Sequence, residues 1–367
     1  MSHSRPTKAE IRDFALSHDL DLFGVANIER FANAPPRWHP SAIFPECRSV
    51  IVVGRRIIRG GWRGIEEGTY WPTYTHFDYH GLLNTFFIPL GLYETACFIE
   101  DHGFEAVPCY PGVPETQPTT GKPLRPGGAV GEVQLAIRIA ATAAGLGEMG
   151  WSKVFLTKKF GPRQRLACIL TDLDLEPDPL VEPNSLCKLD MACVSGCPGA
   201  IPHIKEGKVV EIQIEDKTYR WGDVDMGKCT LIYHGGDPRV SPFIHKSFPG
   251  YEFDVTKQEL TEEAAYKFCW PMSVNPWRKT DEFPEGFVIE GHAYLQKWGI
   301  AGSYGIEGSR GCMRSCFNYL EKRKMVEQTF EGGEFIKRPR WLLPCKTARR
   351  AAAPEGHEAP PSEEAPK

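Results

Sequence analysis

The chain has 367 residues, 41% of them hydrophobic, and a net charge of −4 at neutral pH. That is apolar material for one large domain or two ordinary ones. The mild acidity lacks the basic footprint of a nucleic-acid binder, and no stretch is long and apolar enough to span a bilayer. The N-terminus shows neither a signal-peptide apolar region nor a twin-arginine pair. A cytoplasmic protein is therefore expected, its twelve cysteines reduced.

Thr7 and Glu10 form a capping box ahead of Ile11, Phe14 and Ala15 at helical spacing. A short strand follows at Leu22–Ala26. Residues 49–54 are a continuous apolar run, which reads as a buried strand. Residues 80–102 turn helical, with Pro89 as a possible kink and Gly103 as the C-terminal stop. A strand at Phe104–Pro108 leads into residues 110–130, a loop rich in Pro and Gly. An apolar helix is predicted from Val133 to Ala144, stopping at Gly145, then strands at Lys153–Thr157 and Arg165–Thr171. The first half thus reads as α+β, helices covering one sheet. Residues 181–235 carry most of the cysteine motif, and 236–300 read as an insertion. Residues 301–330 return to the motif and end in a helix from Phe317. Residues 346–367, rich in Ala, Pro and Glu with almost no large apolar residue, are predicted to be disordered.

The most informative run is Cys187, Asp190, Cys193 and Cys197-Pro198. With one substitution it is the ferredoxin pattern C-x2-C-x2-C-x3-C-P, Asp190 standing at the second cysteine. Far downstream come Ser309, Cys312 and Cys316. In two-cluster ferredoxins the fourth cysteine of the run serves the other cluster. By that rule Cys187, Cys193 and Cys316 would hold one iron–sulfur cluster with Asp190 at its open iron. Cys197, Cys229 and Cys312 would hold a second, with Ser309 at a cysteine position and Cys269 as a substitute. Asp190 leaves three outcomes open: ligation of the fourth iron of a 4Fe-4S cluster, a 3Fe-4S cluster, or a loop surviving as scaffold. The rival is zinc bound by Cys187, Cys193, Cys197 and His203, but zinc knuckles favour C-x2–4-C pairs. Cys47, Cys97, Cys109, Cys168 and Cys345 read as buried or inert thiols.

These residues resemble the corrinoid- and iron–sulfur-dependent reductases, the reductive dehalogenases and epoxyqueuosine reductases. The resemblance rests on Phe23–Ala26, on His39-Pro40 leading to Cys47–Gly54, and on Phe98–Pro108. Its most specific stretch is Ala144–Thr157, followed by Phe160–Arg163, Thr171–Leu173 and the cysteines in family order. It covers roughly residues 10–235 and 300–325.

The resemblance implies an oxidoreductase. A nitroreductase-like, cobalamin-binding domain would span 7–180, and a ferredoxin-like module would comprise 181–235 and 301–330. It implies reduction of a small-molecule substrate at Co(I), with carbon–halogen or related bond cleavage. Electrons would come from a low-potential donor such as ferredoxin or flavodoxin, or from subunits of a redox complex. Such chemistry needs a proton donor beside the substrate. The catalytic Asp of epoxyqueuosine reductases falls on Gly131 and the pocket Asn of dehalogenases on Glu132. Glu132, Tyr79 and Tyr110 are the candidate catalytic residues, with Tyr93 a further phenol. Arg55, Glu132, Ser152 and Thr157 are the candidate corrinoid contacts. Gly131 weighs against epoxyqueuosine reductase chemistry. Asp190 and Ser309 keep open a non-catalytic electron-transfer or assembly subunit.

Overall fold

A computed structural model describes residues 4–70, 72–79, 81–109, 122–123, 125–128, 133, 135–237, 239, 254–265, 277–278, 287–288, 310–337 and 339. Most of the 236–300 segment and all of 346–367 lie outside the described residues.

Helix α1, Lys8–Ser17, starts where the capping box forms. Thr7 Oγ1 accepts from the Glu10 N–H at 3.2 Å, and the Thr7 N–H donates to the Glu10 carboxylate at 2.8 Å. Its buried residues, Ile11 and Ala15, lie one turn apart. The central sheet contains β1 (Leu22–Asn27), β2 (Ser49–Arg56), β3 (Ala106–Cys109) and β6 (Gln164–Thr171). Its order is β1-β2-β6-β3, and every pairing is antiparallel. Two short strands, β4 (Glu148–Met149) and β5 (Phe155–Leu156), pair beside it.

Both faces of this sheet are covered. Val25, Ile51, Val53 and Ile169 pack with α1, with α3 (Ile88–Asp101) and with Trp62. Ala26, Val50, Val52 and Leu170 pack on the other face against α4 (Ile137–Ala143) and a hairpin of β7 (Val209–Ile214) and β8 (Lys217–Gly222). A strand sandwiched in this way needs apolar side chains at every position, which is why 49–54 lacks alternation. Helices on an antiparallel sheet make the fold mixed α+β.

The local differences from the sequence reading have simple causes. The helical pattern over 80–102 opens with two wide turns, Thr73–Tyr79 and Leu83–Phe87, before α3. Pro89 sits in the first turn of α3, directly after the Leu83–Phe87 turn. Gly103 adopts φ +83° just beyond the end. The helix expected over 133–144 is shorter, Ile137–Ala143, and the strand over 153–157 shrinks to β5. The β7–β8 hairpin is unanticipated. Its turn is Glu215-Asp216, with Glu215 at φ 52°, and lacks the Asn-Gly signature of such turns.

A third core holds Trp151, Met191, Cys193, Ala200, Leu231 and Ile232. Around it lie α5 (Ala192–Gly196), α6 (Met226–Tyr233) and α7 (Cys312–Lys322). Cys187 and Cys312 pack against both this core and the sheet-side core, so the thiols lie along the seam between them. Among the described residues no helix is long and apolar enough to cross a membrane.

Candidate metal centre

Helix α7 places Cys312 and Cys316 one turn apart on one face. A buried ion cluster fixes that helix. Arg314 donates to both Glu66 oxygens, at 2.5 and 2.7 Å, and Arg310 lies 3.5 Å from the same carboxylate. All three side chains are buried. A bidentate charged pair of this kind sets orientation as well as energy. Gly196 lets α5 approach α7. A Cβ there would stand 2.9 Å from Ser315 Cβ and 3.0 Å from the Gly311 carbonyl.

The loop that brings in Cys187 is wound unusually. Asn184, Leu189 and Met191 hold left-handed φ values of 59°, 54° and 59°. Each such non-glycine residue costs on the order of 1 kcal/mol, a strain that concentrates at functional sites. Glu148 supports the loop from below. Its buried carboxylate accepts from the backbone N–H of Asn184 at 2.6 Å, Leu186 at 2.5 Å and Cys187 at 2.8 Å. Burial still leaves the Glu148 carboxyl above its ordinary range, against those three hydrogen bonds.

Two backbone amides aim at sulfur. The Trp151 N–H donates to Cys187 Sγ, and the Ala200 N–H donates to Cys197 Sγ, both at 3.3 Å. Hydrogen bonds to ligand sulfur favour thiolate and tune the potential of a cluster. The thiols raise one another. Burial and then Cys187, Cys193 and Cys312 push the Cys316 thiol well up, with Asp190 adding to it. Burial and then Cys197, Cys229 and Cys193 do the same to Cys312. Burial and Cys187 push Cys193 up to about 12. The cysteines thus gather around Cys316 and around Cys312, with Cys193 near both.

Cys187, Asp190, Cys193 and Cys316 line one small cavity together with Ser152 and Tyr319. Among the described residues, no three His, Cys, Asp or Glu side chains close to single-ion spacing. A zinc ion would hold sulfurs about 3.8 Å apart, given a Zn–S bond near 2.3 Å. A multi-iron cluster sets its ligands farther apart. A thiol set of this kind, with N–H donors turned to sulfur, fits iron–sulfur ligation. Bound iron would reverse the electrostatic penalty that the thiolates impose on one another.

The other expected residues are placed as follows. Asp190 is exposed, and its carboxylate accepts from the Ala192 N–H at 3.4 Å at the start of α5. Ser152 is 9% exposed at the cavity. Thr157 is buried, and its hydroxyl donates to Gln164 Oε1 at 2.9 Å and accepts from the Phe160 N–H at 3.1 Å. Arg55 stacks over Phe87 at 4.9 Å and lies 4.0 Å from Asp19. Tyr93 is exposed on α3. His203 caps a short 3-10 turn and meets none of the cysteine ligand candidates by hydrogen bond. Gly131, Glu132, Tyr110, Cys269, Cys345, Ser309 and the Tyr79 side chain lie outside the described residues. Sequence reasoning missed Glu148, Glu66, Arg310 and Arg314. Glu148 had a signal, a lone carboxylate inside the Gly-rich 145–150 stretch.

No family model matches the chain. A tetrachloroethene reductive dehalogenase of Dehalobacter restrictus is 31% identical over 217 residues, covering 53% of this chain and 35% of that protein. Among solved structures, a selenomethionine-labelled epoxyqueuosine reductase aligns over 87% of this chain and 82% of its own, at 16% identity and a TM-score of 0.44. A catabolic reductive dehalogenase in complex with 3-bromo-4-hydroxybenzoic acid aligns over 93% and 42%, at 15% identity and a TM-score of 0.42. The sequence relationship bears out the family resemblance: over about half of its length this chain is similar to the reductive dehalogenases, and it spans about a third of the length of the relatives it matches.

Proposed function

We propose that the chain is a corrinoid- and iron–sulfur-dependent reductase of the reductive dehalogenase type. It would have a nitroreductase-like corrinoid domain and a ferredoxin-like electron-delivery module. The observation that supports this best is the gathering of thiols from distant parts of the chain, 83 or more positions apart in sequence. Cys187 and Cys193 neighbour Cys316, and Cys197 and Cys229 neighbour Cys312. The relatives at about 31% identity act, by name, on tetrachloroethene. A small organohalide is therefore the substrate class to test first.

Cys187, Cys193 and Cys316 would hold one cluster, with Asp190 at its open iron. Cys197, Cys229 and Cys312 would hold the other. When bound, the clusters and corrinoid supply low-potential electrons to the substrate carbon. The polypeptide's part is to exclude water, orient the substrate and hold a proton within hydrogen-bond reach of that carbon. Glu132, Tyr79 and Tyr110 are the proposed donors. Ser152, which lines the cavity with Cys187, Cys193 and Cys316, is a proposed corrinoid contact beside the first cluster position.

A second reading has its own support. The Thr157 hydroxyl is engaged within the fold, and Arg55 is paired with Asp19. With two expected corrinoid contacts so occupied, a non-catalytic electron-transfer or assembly subunit is the alternative.

Anaerobic purification from cobalamin-supplied cells, with iron, acid-labile sulfide and cobalt analysis and electron paramagnetic resonance, separates the two. The dehalogenase reading expects both iron and cobalt. Iron without cobalt, with a stoichiometric redox partner, supports the subunit reading. Neither metal after reconstitution overturns both. Asp190→Cys should convert a three-iron signal into a four-iron one and raise iron content.

A further inference from the structure

Three thiols gather away from the α5–α7 cysteines. Cys109 on β3 pairs directly with Cys168 on β6. Residues paired directly across antiparallel strands stand about 4.5–5.5 Å apart at Cα. That lies inside the roughly 4.4–6.8 Å window that a disulfide requires. Both side chains pack in the core shared with α4, and the Cys109 thiol donates to the Val107 carbonyl at 3.8 Å. Cys47, on the same side, is an electrostatic neighbour of both. All three are free thiols.

The two partners differ in access. β3 is the edge strand, and Cys109 is half-buried there, within reach of small solutes. Cys168 is 0% exposed on an inner strand. A reachable thiol backed by a hidden one is the arrangement of a redox-responsive pair, in which the first reacts and the second resolves.

We infer that Cys109 and Cys168 form a reversible dithiol–disulfide site, oxidised by small-molecule disulfides and separate from any iron–sulfur chemistry. Cys109 is half-buried on the edge strand, and the neighbouring Cys168 side chain holds its thiol below the ordinary range, so Cys109 is the attacking partner. Its thiolate attacks one sulfur of a disulfide RSSR. The S–S bond breaks, RS⁻ leaves, and a Cys109–SR mixed disulfide forms. Cys168 gives up its proton and attacks the Cys109 sulfur. The second RS⁻ leaves, and the Cys109–Cys168 bond closes. Two protein thiols lose two electrons, one RSSR becomes two RSH, and the two protons go with them. The bond ties the edge strand to the inner sheet at the residue before Tyr110.

The test uses the full-length protein, prepared anaerobically, exposed to oxidised glutathione and mapped by differential alkylation and peptide mass spectrometry. Cys109 and Cys168 are expected to be lost to alkylation together, as one linked peptide, ahead of Cys97 on α3. Dithiothreitol should restore both. In Cys168→Ala, Cys109 should stop as a one-to-one glutathione adduct. In Cys109→Ser, Cys168 should remain reduced. Circular dichroism establishes that both variants are folded. Oxidation of Cys109 no faster than Cys97 overturns the inference. So does a linked peptide joining Cys47 instead of Cys168, or identical adduct formation in wild type and Cys168→Ala.

Discussion

Strand β2 and helix α7 are both buried, but by different means. Val50, Ile51, Val52 and Val53 are each 0% exposed and pack into apolar cores on the two faces of the sheet. Helix α7 is seated by Glu66, Arg310 and Arg314, by the close approach at Gly196, and beside a loop hung on the Glu148 carboxylate. The sheet gains its stability from area removed from water, about 25 cal/mol per Å2, a term insensitive to side-chain angle. The cysteine region adds to its apolar packing a set of directional, charged contacts that fix where sulfur atoms point. A site that must present several thiols at set positions needs orientation more than bulk burial. That explains its left-handed backbone and its buried charges.

The largest expected effect tests the polar side of this contrast. Glu66→Ala removes the carboxylate between two buried guanidinium groups. Breaking a buried pair by deleting one partner costs about 3–5 kcal/mol, because a charge is left without compensation. Urea unfolding should show a loss of that size, and iron content after reconstitution should fall because α7 carries Cys312 and Cys316. A loss below about 1 kcal/mol, the level of an exposed pair, would mean that α7 is held by its apolar face instead.

A smaller effect comes from a polar intruder on the apolar side. Asp78, only 4% exposed, lies against Gly61. Burial pushes its carboxyl up to about 7, while the Ile58 N–H and the Arg163 charge pull the other way. The unfolded chain releases this proton near 3.8, so between about pH 4 and 7 the folded state binds the extra proton. Its contribution is greatest below that window, falls as the pH rises through it, and is gone above. One pKa unit corresponds to about 1.4 kcal/mol, which puts the full effect at a few kcal/mol. Asp78→Asn should remove this slope and exceed wild type in stability at pH 8. Parallel unfolding curves for the two proteins from pH 5 to pH 8 would show that Asp78 is ionised throughout.

What the sequence discloses follows the same division. The capping box of α1 and the apolar runs of β2 and β6 are local patterns, and each gives an element close to its observed bounds. The cysteine spacing marks the ligand candidates without help from tertiary structure. The supports are a different matter. Glu66 and Arg314 are 248 positions apart, and neither has a neighbour in sequence that names the other. Cys109 and Cys168 read as inert thiols because only the β3–β6 register sets them opposite each other. The β7–β8 hairpin is masked by an acidic turn, although Val210, Ile212 and Ile214 alternate as a half-buried strand should. Thr157 looks like an open hydroxyl until the Gln164 side chain is folded onto it.

The smallest effect probes the other side of the contrast. Ile51 is opposite Val25 on β1 and Ile169 on β6, all in the sheet-side core. Ile51→Val removes one methylene from a fully buried apolar site, at a cost of about 0.5–1.5 kcal/mol. The loss should appear in urea unfolding with no change in iron bound per chain, since no cysteine ligand candidate hangs on that strand. A fall in iron alongside the lost stability would show that the sheet sets the thiol positions as well. The polar anchors around α7 would then be accessories to a single apolar scaffold, not the device that aims the sulfur atoms.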